Sequence, residues 1–153
     1  MNPLKGTYYC KLDSKGRISL PAALRKQLPP ECNDVFIIKK GFEGCLELYP
    51  LNVWNSMLDD MSKQNLFDPR MRLFERKYKQ DAIEITLDSA SRLLLQKHLL
   101  SLAGITDEAM IFCRGKLIEI WNQDLYNKSL EQLTEEEYNE MAMKYLGNAL
   151  SNI

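Results

Sequence analysis

The chain repeats itself, and that limits it to folds that accept two copies of one small unit. Leu12-Asp13-Ser14-Lys15-Gly16-Arg17-Ile18-Ser19-Leu20-Pro21 returns as Leu87-Asp88-Ser89-Ala90-Ser91-Arg92-Leu93-Leu94-Leu95-Gln96. Both stretches keep Asp-x-x-x-Arg between apolar residues. A second echo follows in the same order, Leu46-Glu47-Leu48-Tyr49 against Ile118-Glu119-Ile120-Trp121. Two echoes in one order mark a tandem duplication. The units expected are residues 1–80, with connecting helices, and residues 81–153, ending in an acidic helix.

Each copy reads as strand, loop, strand, helix, strand, strand, helix. Thr7 to Leu12 is rich in β-formers, and Arg17-Ile18-Ser19-Leu20 alternates polar with apolar. Between them Asp13-Ser14-Lys15-Gly16 is turn chemistry, since Asp and Ser bond nearby backbone and Gly accepts positive φ. In the second copy Ile83, Ile85 and Leu87 alternate with Glu84 and Thr86. On a helix, Asp-x-x-x-Arg would be only a salt bridge between residues four apart. Gly16 and the flanking alternation oppose a helix there.

Further elements follow from punctuation. Pro21 starts a helix through Leu28, which Pro29-Pro30 stops. Val35 to Ile38 and Cys45 to Tyr49 form a hairpin, and Asn52 is expected to cap the next helix. Asp68-Pro69 opens a basic helix to about Lys79, either a bridge with a solvated face or a contact for a subunit or nucleic acid. Ala109 to Cys113 and Leu117 to Trp121 form the second hairpin. Helices are then expected over 122–132 and from Thr134 to about Gly147, with a frayed end over 148–153.

Net charge is −1, so total charge does not point to nucleic acid; its distribution does more. Residues 1–28 carry six bases (Lys5, Lys11, Lys15, Arg17, Arg25, Lys26) against Asp13 alone. Residues 129–153 carry five glutamates against Lys144 alone. Head and tail are opposite in sign. In the second copy Ala90 stands for Lys15, Ser91 for Gly16 and Leu100 for Arg25. That loop should hold phosphate more weakly, and losing glycine puts its geometry in question.

Leu-Asp-Ser-Lys-Gly-Arg-Ile-Ser-Leu-Pro followed by Arg25 resembles the signature of the MraZ family, bacterial DNA-binding proteins of two tandem AbrB-like (SpoVT-AbrB) domains. Leu48-Tyr49-Pro50 before Trp54, the arginines from Arg70 to Arg76 and the second Asp-x-x-x-Arg also match. The resemblance implies an α+β fold in which two AbrB-like swapped-hairpin units form one intrachain pseudo-dimeric β-barrel with flanking helices. It also implies assembly of identical chains into a closed ring. The expected function is sequence-specific regulation of transcription, on double-stranded DNA repeats upstream of the family's own division and cell-wall operon. Lys15, Arg17 and Arg25, seconded by Arg92, are the expected DNA-binding residues. Arg17 is the candidate for pairing with guanine, and Lys15 for neutralising phosphate. Asp13, Gly16 and Asp88 are expected to orient the loops.

Other classes fit less well. No phosphate-binding loop or nucleophile elbow is present, and the single histidine, His98, has no fixed partner, so no catalytic residue is expected. The cysteines Cys10, Cys32, Cys45 and Cys113 have no zinc spacing, so neither metal nor cofactor is expected. Cys10, Cys45 and Cys113 read as buried thiols. With no secretory signal and no apolar run of about eighteen residues, the expected place is the cytoplasm, at the nucleoid, without a membrane or small-molecule substrate. The alternative is an antitoxin-like or structural ring-forming protein whose main partner is protein.

Overall fold

In a computed structural model, residues 2–151 are described, apart from the side chain of Leu150. The chain divides into two compact units, Met1–Gln123 and Asp124–Ile153. The first unit holds the eight strands β1 (Thr7–Lys11), β2 (Arg17–Ser19), β3 (Val35–Lys40), β4 (Leu46–Pro50), β5 (Ile83–Thr86), β6 (Arg92–Leu94), β7 (Glu108–Cys113) and β8 (Ile118–Trp121). Its helices are α1 (Ala22–Arg25), α2 (Leu51–Ser62), α3 (Pro69–Lys79) and α4 (Lys97–Ala103).

The two copies interleave. Six strands form an antiparallel sheet in the order β1-β7-β8-β4-β3-β5, while β2 and β6 form a separate two-stranded ribbon. Thus β1 of the first copy lies on β7 of the second, and β5 of the second lies on β3 of the first. The central hairpins join where Glu47 faces Glu119. The six-stranded sheet is open, with β1 and β5 as edges, so it does not by itself close into the barrel that the family resemblance implies. β2 and β6 pair with each other as a separate two-stranded ribbon instead of joining its edges.

The ribbon covers one face of the sheet. Ile18 lies opposite Leu93, both fully buried, in a core shared with Leu24 of α1, Leu99 of α4 and Phe36, Ile38, Leu48, Ile111 and Ile120 of the sheet. Side chains alternate along a strand, so Ile37 and Tyr49 join Val53, Trp54 and Tyr78 in a second cluster with α2 and α3.

Several boundaries differ from the sequence reading. α1 is a single turn, and bonds from Gln27 N to Leu24 O and Leu28 N to Arg25 O tighten the chain before the two prolines. Asn52 does not cap α2: Pro50 precedes the helix, and the Asn52 Oδ1 atom is buried without a hydrogen-bond partner among the described residues. Asp68 does cap α3, accepting from Arg70 N at 2.9 Å. Cys10 is half-buried, while Cys32, Cys45 and Cys113 are buried.

The second unit contains most of α5 (Gln123–Leu130) and all of α6 (Glu135–Ser151). Thr134 Oγ1 accepts from Glu137 N at 3.1 Å, and Glu137 Oε1 takes the Thr134 amide at 3.3 Å, a reciprocal capping box. α6 continues through Gly147 to Ser151 in place of the expected frayed end, since one helical glycine costs only about 1 kcal/mol. Asn152 and Ile153 lie outside the described residues.

Replacing Ile18 by Ala removes the centre of the ribbon's buried pair and should lower stability by about 2–5 kcal/mol. Ser19→Ala, on the exposed side of the same strand, should stay within about 0.5 kcal/mol. Urea unfolding midpoints at constant slope would check the contrast.

Candidate nucleic-acid interface

The two loops before β2 and β6 have one geometry. Asp13 Oδ1 accepts from the amides of Lys15 and Arg17, each at 2.9 Å, and its Oδ2 accepts from Arg17 Nε at 2.6 Å. Asp88 repeats this with the amides of Ala90 and Arg92 and with Arg92 Nε, all at 2.9 Å. Backbone bonds from Gly16 N to Asp13 O and from Ser91 N to Asp88 O close the turns. The aspartate is therefore the organiser of each loop, and the spacing of four brings arginine back to it without any helix.

The glycine question is answered by φ. Gly16 sits at +82°, where an added Cβ would also stand 3.1 Å from the Leu95 carbonyl oxygen. Ser91 takes the left-handed conformation at +60°, so the second loop keeps its shape at a strain of about 1–2 kcal/mol.

The ribbon then assembles a surface. Arg17 pairs with Leu94, and Ser19 with Arg92. Because Ile18 and Leu93 point inward, Arg17, Ser19, Arg92 and Leu94 share the outward face. The two arginines are diagonal neighbours, about 7–8 Å apart. Arg25 stands at the end of α1, its Nε donating to Leu20 O at 3.1 Å. All three arginines are thus held at Nε, and their terminal guanidinium nitrogens have no protein partner among the described residues. Lys15 is exposed on the first loop.

Sequence reasoning finds Lys15, Arg17, Arg25 and Arg92 singly; it does not place Arg17 and Arg92 on one face or bring Ser19 and Leu94 beside them. The signal is the shared alternation of Arg17-Ile18-Ser19 and Arg92-Leu93-Leu94, which becomes one face only when the copies pair. No group of three or more His, Cys, Asp or Glu among the described residues could hold a metal ion. No described helix is long and apolar enough to cross a membrane.

Comparison with known proteins gives one answer. A family described as "MraZ protein, putative antitoxin-like" matches twice, over residues 4–77 and 80–147. The transcriptional regulator MraZ of Christiangramia forsetii is 38% identical over 146 residues, 95% of this chain and 94% of that protein. The protein of the same name from Flavobacterium psychrophilum is 36% identical, over 97% of this chain and 94% of its own. That from Cytophaga hutchinsonii is 34% identical, over 95% and 96%.

The loop carboxylates carry a pH signature. The Arg17 amide bond is the main cause holding Asp13 down to about 2 from its ordinary 3.8; the Arg17 guanidinium and the Lys15 amide add to it against desolvation. Asp88 is lowered for the same reason, the Arg92 amide first. A depressed carboxylate stabilises the fold fully above its unfolded value, and that contribution is lost as pH falls through the folded one. The Asp13 side-chain carbon should titrate by NMR with a midpoint near 2, and the Lys15 and Arg17 amide signals should move with it. A midpoint near the ordinary 3.8 would mean that the loop is not organised by Asp13.

Proposed function

The chain belongs to the MraZ family, and on that premise we propose that it regulates transcription by laying the β2–β6 ribbon against double-stranded DNA. A two-stranded ribbon fits the major groove. The observation that carries the reading is the outward ribbon face, where Arg17 and Arg92 are each fastened through Nε and keep their terminal nitrogens unpaired. That leaves a planar fork of the kind that pairs with guanine O6 and N7. Arg17 is the main reader, while Lys15 and Arg25 neutralise phosphate beside it. Arg92 seconds them from a loop whose equivalents of Lys15 and Arg25 are Ala90 and Leu100. Asp13, Gly16 and Asp88 orient the loops. The role is regulatory, with no catalytic step.

The expected operator is a set of short repeats in the promoter of the protein's own operon. One ribbon with a few cations binds weakly, and several on one assembly gain through effective concentration. A closed ring of identical chains would supply them. The acidic first turn of α6 and its exposed Tyr138, Met141 and Leu146 support contact between copies, since they are opposite in charge to the basic head and leave apolar surface uncovered. We read residues 1–80 and 81–153 as the repeated units, with the place of action in the cytoplasm at the nucleoid.

The decisive experiment is a binding titration on the protein's own upstream DNA and on a scrambled copy, at two salt concentrations. Preference for the native sequence that persists at higher salt is expected. Equal binding that collapses with salt would mean a nonspecific binder; no binding to either would favour a protein partner.

Arg17→Ala should lose about 1–3 kcal/mol of discrimination between the two DNAs while leaving the assembly unchanged by sedimentation. Arg92→Ala should be milder. Lys15→Ala should weaken binding to both DNAs alike and flatten the salt slope by about 0.9, the change expected when one phosphate fewer is neutralised. An unchanged slope would mean that Lys15 does not touch phosphate.

A further inference from the structure

On the face of the sheet away from the ribbon, the turn after β3 and the helix α3 enclose a cavity of about 420 Å³. Lys39, Phe42, Arg70, Phe74, Lys77 and Tyr78 line it. Arg70, Phe74 and Tyr78 fall four apart along α3 and Lys77 three after Phe74, which brings them to one side of the helix.

Lys39 is the unusual member. It is only 5% exposed, and among the described residues no carboxylate forms a close ion pair with it, although the charge of Glu47 acts on it across the strands. Its Nζ donates to Lys40 O at 2.5 Å and lies 4.3 Å from the centre of the Tyr78 ring and 6.0 Å from that of Phe42. Glu47 faces it across the strands but takes its hydrogen bond from the Tyr49 hydroxyl, at 2.8 Å. An ammonium so deeply placed, hydrogen-bonded only to the Lys40 carbonyl and balanced only by the field of Glu47, can accept a further anion from the cavity. Arg70 and Lys77 add two more cations on α3, and Lys40 a further one at the end of β3. Asp81 is the one acid in the lining, and its carboxylate already accepts the Lys40 amide at 3.1 Å.

The cavity also offers flat apolar surface. Phe42 is 74% exposed and Phe74 47%, and Phe74 stacks on Tyr78 with ring centres 5.6 Å apart at 22°. Half-exposed rings beside cations are what a nucleobase and its phosphate require. Lys39, Arg70 and Lys77 together exceed the need of a single carboxylate and match the several oxygens of a phosphate.

We propose that this cavity is a binding site for a mononucleotide, its phosphate held by Lys39, Arg70 and Lys77 and its base stacked on Phe74 and Phe42. The site is separate from the ribbon and does not depend on the DNA-binding reading.

The test uses the full chain in phosphate-free buffer, with adenosine 5′-monophosphate as probe. Binding is measured by calorimetry and by quenching of Trp54, whose ring stacks on Tyr78 at 5.8 Å. Adenosine and inorganic phosphate serve as half-probes. The mononucleotide should bind at least about tenfold more tightly than either half, a difference of about 1.4 kcal/mol. Arg70→Glu and Lys77→Glu, at exposed positions that leave the fold intact, should each weaken it about tenfold, and Lys39→Met should abolish it with an unchanged circular dichroism spectrum. Absence of binding at millimolar probe, or phosphate binding as tightly as the nucleotide, would overturn the proposal. So would indifference to both Glu substitutions, or binding of a single-stranded oligoadenylate without the free nucleotide.

Discussion

Everything in the first unit depends on the pairing of β2 with β6. Each strand is three residues long, and within its own copy β2 has only the single bridge from Ile18 to Leu12. Across copies, Ile18 meets Leu93, Leu95 N donates to Gly16 O, and Leu20 N donates to Ser91 O, so each loop is fastened to the strand end of the other copy. The apolar side of the ribbon is then buried on the sheet. Loss of either copy would expose that row, which is why the duplication is a folding requirement as well as a sequence pattern.

The second constraint is local. One carboxylate satisfies two amides and an arginine Nε in each loop, so the backbone turn and the arginine direction are set together. Asp13 thereby leaves the outer end of the guanidinium to project. A paired charge that remains outward-facing is the property an interface for an anionic polymer needs.

The sheet separates two chemistries by alternation. Phe36, Ile38 and Leu48 face the ribbon, while Lys39, Glu47 and Glu119 form a buried polar row across β3, β4 and β8 on the other side. Burial pushes Glu47 up, with the Tyr49 hydroxyl bond and the Lys39 charge opposing. Glu119 is held by Arg114 at 3.1 Å and by Trp121 Nε1 at 2.9 Å. A single register shift would drive this row into the apolar core, so the polar row also fixes the pairing.

Much of this was legible in the sequence. The duplication, the hairpins, the turn character of Asp13 to Gly16 and the Asp68 cap all follow from local chemistry, because turn preference and strand alternation act over a few residues. Asn52 misled for the same reason: its cap propensity is local, while Pro50 and the packing of Val53 and Trp54 set where α2 begins. What only the tertiary structure decided is which strands pair across the copies, that the sheet stays open, that Arg17 and Arg92 share one face, and that Lys39 is buried against Tyr78. Those outcomes rest on contacts between residues far apart in the chain, whose register is chosen by the burial of whole rows of side chains and not by any single segment.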